Sequence, residues 1–214
     1  MVYFDYKTVK PVILQGLGGK TSFEQPTDSG YHERYKQRNH EKLSLICKHI
    51  DSFKDLSILD VGCNAGFFSV ELNKLGAFVN AIDLDKSLIE KAKLLESDTL
   101  KFHVADVEEL LERNLSFNIV LFMSVYHHLI NFKGLDKARD ILNKLSKMCE
   151  CLIFESGQRD EMVNFEWREK LPEEFSTPED IFKELEIYTN FEKFNLIGRL
   201  PIHSGNRNLF LCTR

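Results

Sequence analysis

A chain of 214 residues that is 43% hydrophobic and 29% charged has the composition of an ordinary globular protein and is long enough to bury a sizeable core. Its formal net charge of −5 weighs against a nucleic-acid binder with a basic surface. No stretch approaches the ~20 consecutive apolar residues of a membrane helix, and charged residues interrupt the N-terminus, so we expect neither a membrane span nor a signal peptide.

The cysteine content favours a reducing environment. The number of cysteines is odd and their spacing resembles no zinc site, so no metal site is expected among them. A free cysteine behaves as a small hydrophobic residue, and Cys149 and Cys151 therefore indicate the start of a buried strand. These features favour a cytoplasmic protein. The five cysteines are Cys47, Cys63, Cys149, Cys151 and Cys212.

Residues 1–56 are predicted to form a leader, whose first part is rich in the glycine and proline that are typical of loops. A helix is predicted from about residue 31 to 50, because Leu43, Ile46 and Ile50 recur three and four residues apart. The start of this helix interleaves aromatic and basic residues, which fits a lid over an active site. An amphipathic helix packed on the sheet is the alternative. The side chains expected to contact the cofactor or the acceptor are Tyr31, Arg34 and Tyr35.

From residue 57 onward, short apolar strands alternate with helices. Gly76 is predicted to end the first of these helices, and the next is predicted to place Leu88, Ala92 and Leu95 on one face. The predicted strands cover residues 57–61, 78–82, 100–104, 117–123 and 151–154. The predicted helices cover residues 66–75, 87–96, 107–113 and 135–148.

Residues 156–176 are predicted to form an insertion before a last helix, which begins at Thr177, a good N-cap that is followed by Pro178. Two short final strands near residues 191–197 and 209–212 suggest an antiparallel edge. Strands that are separated by helices indicate a parallel sheet. The predicted fold class is α/β, with a Rossmann-like, doubly wound, mostly parallel seven-stranded sheet and an antiparallel last strand. Residues 57–214 are expected to form one domain.

The most specific local signal is the segment Leu59-Asp-Val-Gly-Cys-Asn-Ala-Gly-Phe-Phe, where a buried strand runs into a glycine loop and then a helix. Gly62 allows a sharp turn and the close approach of a ligand, and Gly66 does the same where the helix begins. The spacing G-x-x-x-G differs from the G-x-G-x-x-G of a dinucleotide site, and no Walker lysine follows. The loop therefore favours neither a dinucleotide site nor a P-loop.

Acidic residues follow the next two strands. Asp83 ends the second strand, where a carboxylate can accept hydrogen bonds from both ribose hydroxyls. Asp106 follows the third strand and can accept from an adenine amino group, while Val107 supplies apolar packing. Taken alone, Asp83 fits a loop, Asp106 fits an N-cap and Phe67 fits the core. Their order along the chain favours a nucleoside site.

With these motifs, residues 57–155 resemble the class I S-adenosylmethionine-dependent methyltransferases. The resemblance implies S-adenosylmethionine as the cofactor, with its methionine part held by Gly62, Asn64 and Gly66 and its ribose by Asp83.

The same resemblance places Asp106 near the adenine and Asp60 at the methionine amino group. Asn118 stands where many members have aspartate, at the start of the fourth strand and away from the cofactor, so little depends on this departure. The other residues assigned to the cofactor site are Phe67, Leu84, Val107 and Ser124.

A narrower resemblance extends over the second half of the chain. It is to the methyltransferase domain of the bifunctional methyltransferase/kinase that caps O-antigen polysaccharide chains, a subgroup in which the acceptor is a phosphate on the terminal sugar. This resemblance does not fix the acceptor of the present chain. The segments that carry it are Met123-Ser-Val-Tyr-His-His-Leu, Gly134-Leu-Asp, Ile153-Phe-Glu-Ser and the stretch from His203 to Leu211.

Two histidines follow the fourth strand, where an acceptor would bind. A hydroxyl acceptor needs a base that works near the operating pH, most simply histidine, whereas a phosphate oxygen needs positioning more than deprotonation. Adjacent residues on a regular element point in different directions, so His127 is preferred and His128 is the second candidate. Glu155 ends the fifth strand and is expected to bind substrate or to anchor a histidine.

Basic residues of the later chain are predicted to bind the acceptor. These are Arg159 in the insertion, together with His203 and Arg207 before the last strand, and Arg207 is suited to clamp phosphate oxygens through two hydrogen bonds. The alternative for each arginine is a solvated surface charge. Glu155 and His203 are conceivable metal ligands, but no metal is expected because further ligands would be needed.

The predicted function is an S-adenosylmethionine-dependent O-methyltransferase acting on a sugar or sugar-phosphate acceptor, in surface-polysaccharide biosynthesis. One alternative is methylation of tRNA, another RNA or another small molecule, and the acidic net charge weighs against the RNA acceptors. Another is a catalytically silent cofactor-binding scaffold, which the intact glycine loop disfavours. The expected partner is a small-molecule or glycan acceptor, and the oligomeric state is left open.

Overall fold

The computed structural model describes the backbone of residues 29–162, 165–202 and 205–214, and side chains from residue 37 onward within these ranges. The strands are β1 Ser57–Val61, β2 Phe78–Asp83, β3 Leu100–Val104, β4 Phe117–Met123, β5 Cys149–Glu155, β6 Lys193–Ile202 and β7 Gly205–Thr213. The helices are α1 Ser29–His49, α2 Phe67–Lys74, α3 Lys86–Ala92, α4 Val107–Leu111, α5 Tyr126–Lys133, α6 Leu135–Lys147, α7 Glu166–Lys170 and α8 Pro178–Tyr188, with a 3-10 turn at Lys93–Leu95.

The seven strands form one sheet in the order β3-β2-β1-β4-β5-β7-β6. β1 pairs with β2, and β2 with β3, in parallel, while β7 is antiparallel to both β5 and β6. The strand order reverses between β1 and β4, as in a doubly wound sheet. The predicted fold class, including the antiparallel last strand, is confirmed. The last two strands are longer than predicted.

By its contacts the chain divides into two units, Met1–Ile119 and Val120–Arg214, and the boundary falls within β4. In the first unit all five residues of β1 are buried, and so are the central residues of β2. Burial on both faces is typical of strands that helices cover on either side, which explains why these strands are continuous apolar runs rather than alternating ones.

In the second unit, α6 buries Ala138, Ile141, Leu142 and Leu145, the face that its sequence predicts. α8 begins where predicted, since the Thr177 side chain accepts a hydrogen bond from the Asp180 backbone and the Asp180 side chain accepts one from the Thr177 backbone. Such a capping box satisfies two amide groups at the helix start.

Two helices differ from the sequence prediction. α3 begins at Lys86, because the side chain of Asp85 accepts hydrogen bonds from the first turn, and the helix ends at Ala92 in the 3-10 turn. The buried residues of this helix are Ile89 and Ala92, of which Ala92 was predicted, whereas Leu95 is 54% exposed. α5 was not predicted at all, because no side chain caps its start and burial of its apolar residues holds it in place.

Within the described residues, no helix combines the length and the apolar character that crossing a membrane would require.

Candidate cofactor and acceptor sites

The glycine loop that follows β1 is held in a left-handed conformation at three of its five residues. The φ angles of Gly62, Asn64 and Gly66 are 73°, 52° and 82°. Asparagine is one of the few residues with a side chain that tolerates this region. The residue types of segment 62–66 therefore match the backbone conformation that the segment adopts. The turn brings the chain from the end of β1 directly into α2.

All five amides of this loop donate hydrogen bonds within the first unit. Gly62 N and Cys63 N donate to Ile82 O at 2.8 and 3.0 Å, and Gly66 N donates to Cys63 O at 2.9 Å. The other two amides donate to side chains at 2.8 and 2.7 Å, Asn64 N to Asp83 Oδ2 and Ala65 N to Asn64 Oδ1. A phosphate-binding loop needs amides that point at the anion, so this loop favours a ligand that donates hydrogen bonds.

Gly66 is also required by packing. A Cβ atom at this position would lie 2.6 Å from the ring of Phe102 on β3, which is closer than carbon atoms can pack. The prediction that Gly66 makes room for a ligand is thus accompanied by a structural reason that sequence analysis did not foresee.

Asp83 is oriented by backbone groups on both of its oxygens. Oδ2 accepts from Asn64 N at 2.8 Å and Oδ1 accepts from Asp85 N at 2.9 Å. Burial raises the pKa of this carboxyl group, and the backbone hydrogen bonds oppose that shift. A carboxylate has about four acceptor positions, so Asp83 can accept further hydrogen bonds from neighbouring hydroxyls.

Asp60 lies near the end of β1 and is 3% exposed. Its Oδ2 atom accepts a hydrogen bond from Ser69 Oγ at 2.5 Å. Burial raises the pKa of Asp60 to about 7; the hydrogen bond from Ser69 lowers it, and the negative charge of Asp83 raises it further. A buried carboxyl group of this kind is stabilised by a nearby cation.

Asp106 takes the structural alternative that the sequence left open. It is the N-cap of α4, where its Oδ1 accepts from Glu108 N at 3.1 Å and Glu109 Oε1 accepts from Asp106 N at 3.0 Å. A role at the adenine remains a prediction. Val107 behind it is buried, and Leu84 is 38% exposed.

Phe67, at the start of α2, makes edge-to-face contacts with His40 of α1 and with Phe68, with ring centroids 4.8 and 5.1 Å apart. These contacts tie α1 to the end of the glycine loop. The proposed role of α1 as a lid depends on the side chains of Tyr31, Arg34 and Tyr35, which lie outside the described residues, as does His203.

The residues of the loop fit S-adenosylmethionine. This molecule carries a sulfonium, an ammonium group and a ribose diol, which are cations or hydrogen-bond donors. The carboxyl groups of Asp60 and Asp83 flank the loop, and the loop itself has no amide left for a phosphate. Charge and hydrogen bonding both favour this cofactor over a dinucleotide.

In the second unit, His127 is buried and its tautomer is fixed. Gly157 N donates to His127 Nδ1 at 2.9 Å, so Nδ1 carries the lone pair and a neutral ring carries its proton on Nε2. The ring packs against Trp167 at 4.6 Å, and a Cβ on Gly157 would meet both rings at 3.0 Å or less. The neutral ring is thus a donor, which disfavours the prediction that His127 is the base.

His128 is the better candidate for a base. Its side chain is exposed, and its ring centroid lies 4.2 Å from that of His127. Partial burial lowers the pKa of His128 to about 4, and the positive charge of Arg207 adds to the shift. Because the ring is exposed, water screens part of this shift, and the imidazole is neutral at pH 7 in either case.

Glu155 is completely buried at the end of β5, where it holds the end of β4. Its Oε1 atom accepts from Ser124 Oγ at 2.6 Å, and Ser124 N donates to Glu155 O at 2.8 Å. Ser124 has a φ of 60°, a strained conformation for serine. Glu155 therefore fixes the position of Ser124 at the end of β4.

Arg207 does not offer a free fork to the acceptor. Its Nε and Nη2 donate to Glu161 Oε1 and Oε2 at 2.8 and 3.0 Å, and its Nη1 donates to Ser124 Oγ at 3.1 Å. Sequence analysis missed Glu161, which is 1% exposed, because 46 residues separate the two partners.

Arg159 is likewise engaged within the protein. Its Nη1 donates to the carbonyl oxygens of Arg168 and Leu171 at 2.9 and 3.0 Å, and its Nη2 donates to Glu169 Oε2 at 3.2 Å. Arg159 thus ties the start of the insertion to α7, and this geometry disfavours its predicted role in acceptor binding.

Comparison with known proteins agrees with this geometry. Residues 58–147 match the family described as "Methyltransferase domain". Over 174 residues, the chain is 26% identical to the O-antigen chain terminator bifunctional methyltransferase/kinase WbdD of Escherichia coli, a match that covers 76% of this chain and 23% of that protein. It is 35% identical over 93 residues to a ubiquinone biosynthesis O-methyltransferase of Bartonella quintana, covering 42% of this chain and 36% of the relative.

Solved structures show the same fold. A crystal structure of WbdD superposes with a TM-score of 0.64 at 23% identity, covering 87% of this chain and 40% of that one. The magnesium protoporphyrin IX methyltransferase of Synechocystis PCC 6803 with bound SAM (S-adenosylmethionine) superposes with a TM-score of 0.61 at 14% identity, covering 89% and 86%. The chain spans only 23% of the length of the WbdD protein from E. coli. The chain therefore resembles the class I methyltransferases, with S-adenosylmethionine as its cofactor, and among them the methyltransferase domain of WbdD.

Proposed function

We propose that this protein is an O-methyltransferase that acts on a sugar or a sugar phosphate in the synthesis of a surface polysaccharide. Two kinds of relative support it, an O-antigen chain terminator and an O-methyltransferase of ubiquinone biosynthesis. The proposed cofactor residues are Asp60, Gly62, Asn64, Gly66, Phe67, Asp83, Leu84, Asp106, Val107 and Ser124.

The observation that carries this proposal is the state of His128. Its imidazole is exposed and neutral, and the positive charge of Arg207 disfavours its protonated form. A neutral ring has a lone pair that can accept the proton of a sugar hydroxyl. When bound, S-adenosylmethionine would supply an electrophilic methyl group, to which the acceptor oxygen would bond as the carbon–sulfur bond breaks. The hydroxyl proton passes to His128 and then to water.

His127 has a different part in this proposal. Because Gly157 N donates to its Nδ1, the neutral ring keeps a proton on Nε2. His127 therefore does not take up a proton in this proposal. Its packed ring acts as a hydrogen-bond donor that positions His128 and the acceptor.

Transfer from labelled S-adenosylmethionine to matched free and phosphorylated sugars tests the proposal. We expect transfer to members of this panel, with His128→Ala lowering kcat on a hydroxyl acceptor by about 10²–10⁴-fold and leaving cofactor binding unchanged. The rate should be flat around neutral pH and fall as the pH approaches 4, because protonation removes the lone pair of His128. His49→Ala, a half-buried histidine of α1, is the control.

Two results would count against the assignment. If no sugar or sugar phosphate accepts the methyl group, the acceptor class is wrong. If His128→Ala leaves the rate on a hydroxyl acceptor unchanged, the base lies elsewhere or the acceptor is a phosphate oxygen that needs none.

The alternatives make different predictions. An RNA substrate requires binding that weakens steeply with salt, and a silent scaffold binds cofactor without transferring its methyl group. The cytoplasmic location inferred from the cysteines stays a prediction; all five are free thiols.

A further inference from the structure

The guanidinium of Arg207 and the carboxylate of Glu161 form a two-point pair. Nε and Nη2 of Arg207 reach the two carboxylate oxygens at 2.8 and 3.0 Å. This parallel arrangement of two hydrogen bonds is the geometry in which arginine also binds phosphate. Glu161 therefore occupies the position that an anionic group of a ligand would take on Arg207.

The chain around Glu161 is arranged to keep it there. Gln158 N donates to Glu161 Oε1 at 2.9 Å, and Glu161 N donates to Gln158 O at 3.2 Å. Gln158 is itself held by Asn208 Nδ2, which donates to its side-chain oxygen at 2.8 Å, and Asn208 follows Arg207 on β7. The turn that carries Glu161 is thus anchored next to the arginine that it binds.

The charges around Arg207 favour the exchange of Glu161 for another anion over a permanent ion pair between Arg207 and Glu161. A second buried carboxylate, Glu155, lies 3.8 Å from Nη1, so two carboxylates surround one guanidinium. Like charges in a buried site repel one another, and an incoming anion adds to this repulsion unless Glu161 moves out. A neutral acceptor gives no reason for Glu161 to leave, because removing one partner of a buried pair is strongly unfavourable.

We propose that Glu161 determines the specificity of the acceptor site by occupying the anion-binding fork of Arg207, which is formed by its two donors Nε and Nη2. Only a strongly anionic group, most simply a phosphate monoester, displaces Glu161 from this fork. This inference rests on the proposed function, because it takes the ligand of Arg207 to be part of the acceptor. In the displaced state, Nε and Nη2 of Arg207 donate to two phosphate oxygens, and the Glu161 carboxylate turns out to solvent.

Replacing Glu161 by glutamine should open the fork. The side-chain oxygen of glutamine can keep the hydrogen bond from Gln158 N, but its NH₂ group is a donor and faces the donors of Arg207. Because Nε of Arg207 donates to that same oxygen, the variant should keep the turn and this one bond to Arg207. It loses the bond from Nη2 and the charge attraction of the pair, which weakens the hold on the guanidinium.

The test measures binding of inorganic phosphate by calorimetry, so that it does not depend on methyl transfer. We expect Glu161→Gln to bind phosphate at least about tenfold more tightly than the unchanged protein, a difference of about 1.4 kcal/mol. Adding Arg207→Gln to Glu161→Gln should abolish that gain. Asp160→Asn, which removes an exposed carboxylate next in sequence, is the control and should bind phosphate as the unchanged protein does.

A folded Glu161→Gln protein with unchanged phosphate affinity would overturn the proposal, as would an equal gain in Asp160→Asn. If Glu161→Gln does not fold, the proposal can still be tested on the unchanged protein. Phosphate should shift the NMR signals of the Arg207 Nε–H and the Glu161 carboxyl carbon together, and a neutral sugar should shift neither. Absence of that joint shift would refute displacement. Failure of the proposed function shows separately, as no methyl transfer to any sugar despite tighter phosphate binding.

Discussion

The carboxyl group of Asp60 combines almost complete burial with one strong hydrogen bond from Ser69, at 2.5 Å. Burial disfavours the ionised form, so its pKa rises from 3.8 to about 7. A cation placed beside it would reverse this shift. In the proposed function that cation is the ammonium group of the cofactor. The burial of Asp60 lowers the stability of the free protein and favours binding of this ammonium group.

Asp60→Asn should stabilise the free protein at neutral and higher pH. Between about pH 4 and pH 7 the unfolded chain releases the Asp60 proton while the folded protein keeps it, so stability falls as the pH rises through this window. Asparagine removes that loss, which amounts to about 2–4 kcal/mol above pH 7 and vanishes below about pH 4.

Urea unfolding of Asp60→Asn and the unchanged protein at pH 5 and pH 8 measures this difference. Asp51→Asn, an exposed carboxylate of the same unit, is the control and should change little. A gain in stability that is the same at both pH values would show that Asp60 ionises as an ordinary carboxylate.

At the scale of the elements, the sequence predicts structure well where the signal is local. β1, β3 and β4 have the predicted bounds, and the glycine loop and the capping box at Thr177 are formed by residues within a few positions of one another. α5 carries no such local signal, because its place depends on burial of Tyr126, Leu129 and Ile130.

In the candidate sites too, the sequence predicts features formed by nearby residues and misses those formed by residues far apart in the chain. Asp83 could be placed from sequence because it ends β2, and the backbone donors Asn64 N and Asp85 N lie in the turns that follow β1 and β2. The pairing of Arg207 with Glu161 could not, since it forms only when the insertion folds beside β7. The state of His127 likewise depends on Gly157, which is 30 residues away in the chain.

Gly66→Ala tests how closely the start of α2 packs on β3. We expect a loss of about 2–4 kcal/mol in the free energy of unfolding, from the left-handed backbone and from the clash with Phe102.

Gly134→Ala is a comparison without a clash. Gly134 has a φ of 83°, but its ψ is 162° where that of Gly66 is 20°, and a Cβ there would meet no atom within 4 Å. It should therefore have a backbone cost of its own, about 1–3 kcal/mol. In urea unfolding, a loss for Gly66→Ala no larger than the roughly 1–2 kcal/mol of a left-handed backbone would show that the contact with Phe102 is unimportant.

At the scale of the whole molecule, the net charge of −5 and the acidic surroundings of the glycine loop point in the same direction. A protein of this charge attracts cations over long range, and the loop itself presents carboxylates with all its amides engaged. A cofactor held by its phosphates at this loop, such as a dinucleotide, is therefore disfavoured.

Calorimetric titration of S-adenosylhomocysteine, which keeps the ammonium group and the ribose, tests the assignment of this loop most directly. We expect one molecule to bind per chain, Asp83→Ala to weaken binding by about 1–3 kcal/mol through lost charge-assisted hydrogen bonds, and Asp98→Ala, an exposed carboxylate, to leave it unchanged. NAD should give no heat of binding. An Asp83→Ala protein that is folded and binds with unchanged affinity, or an unchanged protein that binds NAD instead, would contradict the account.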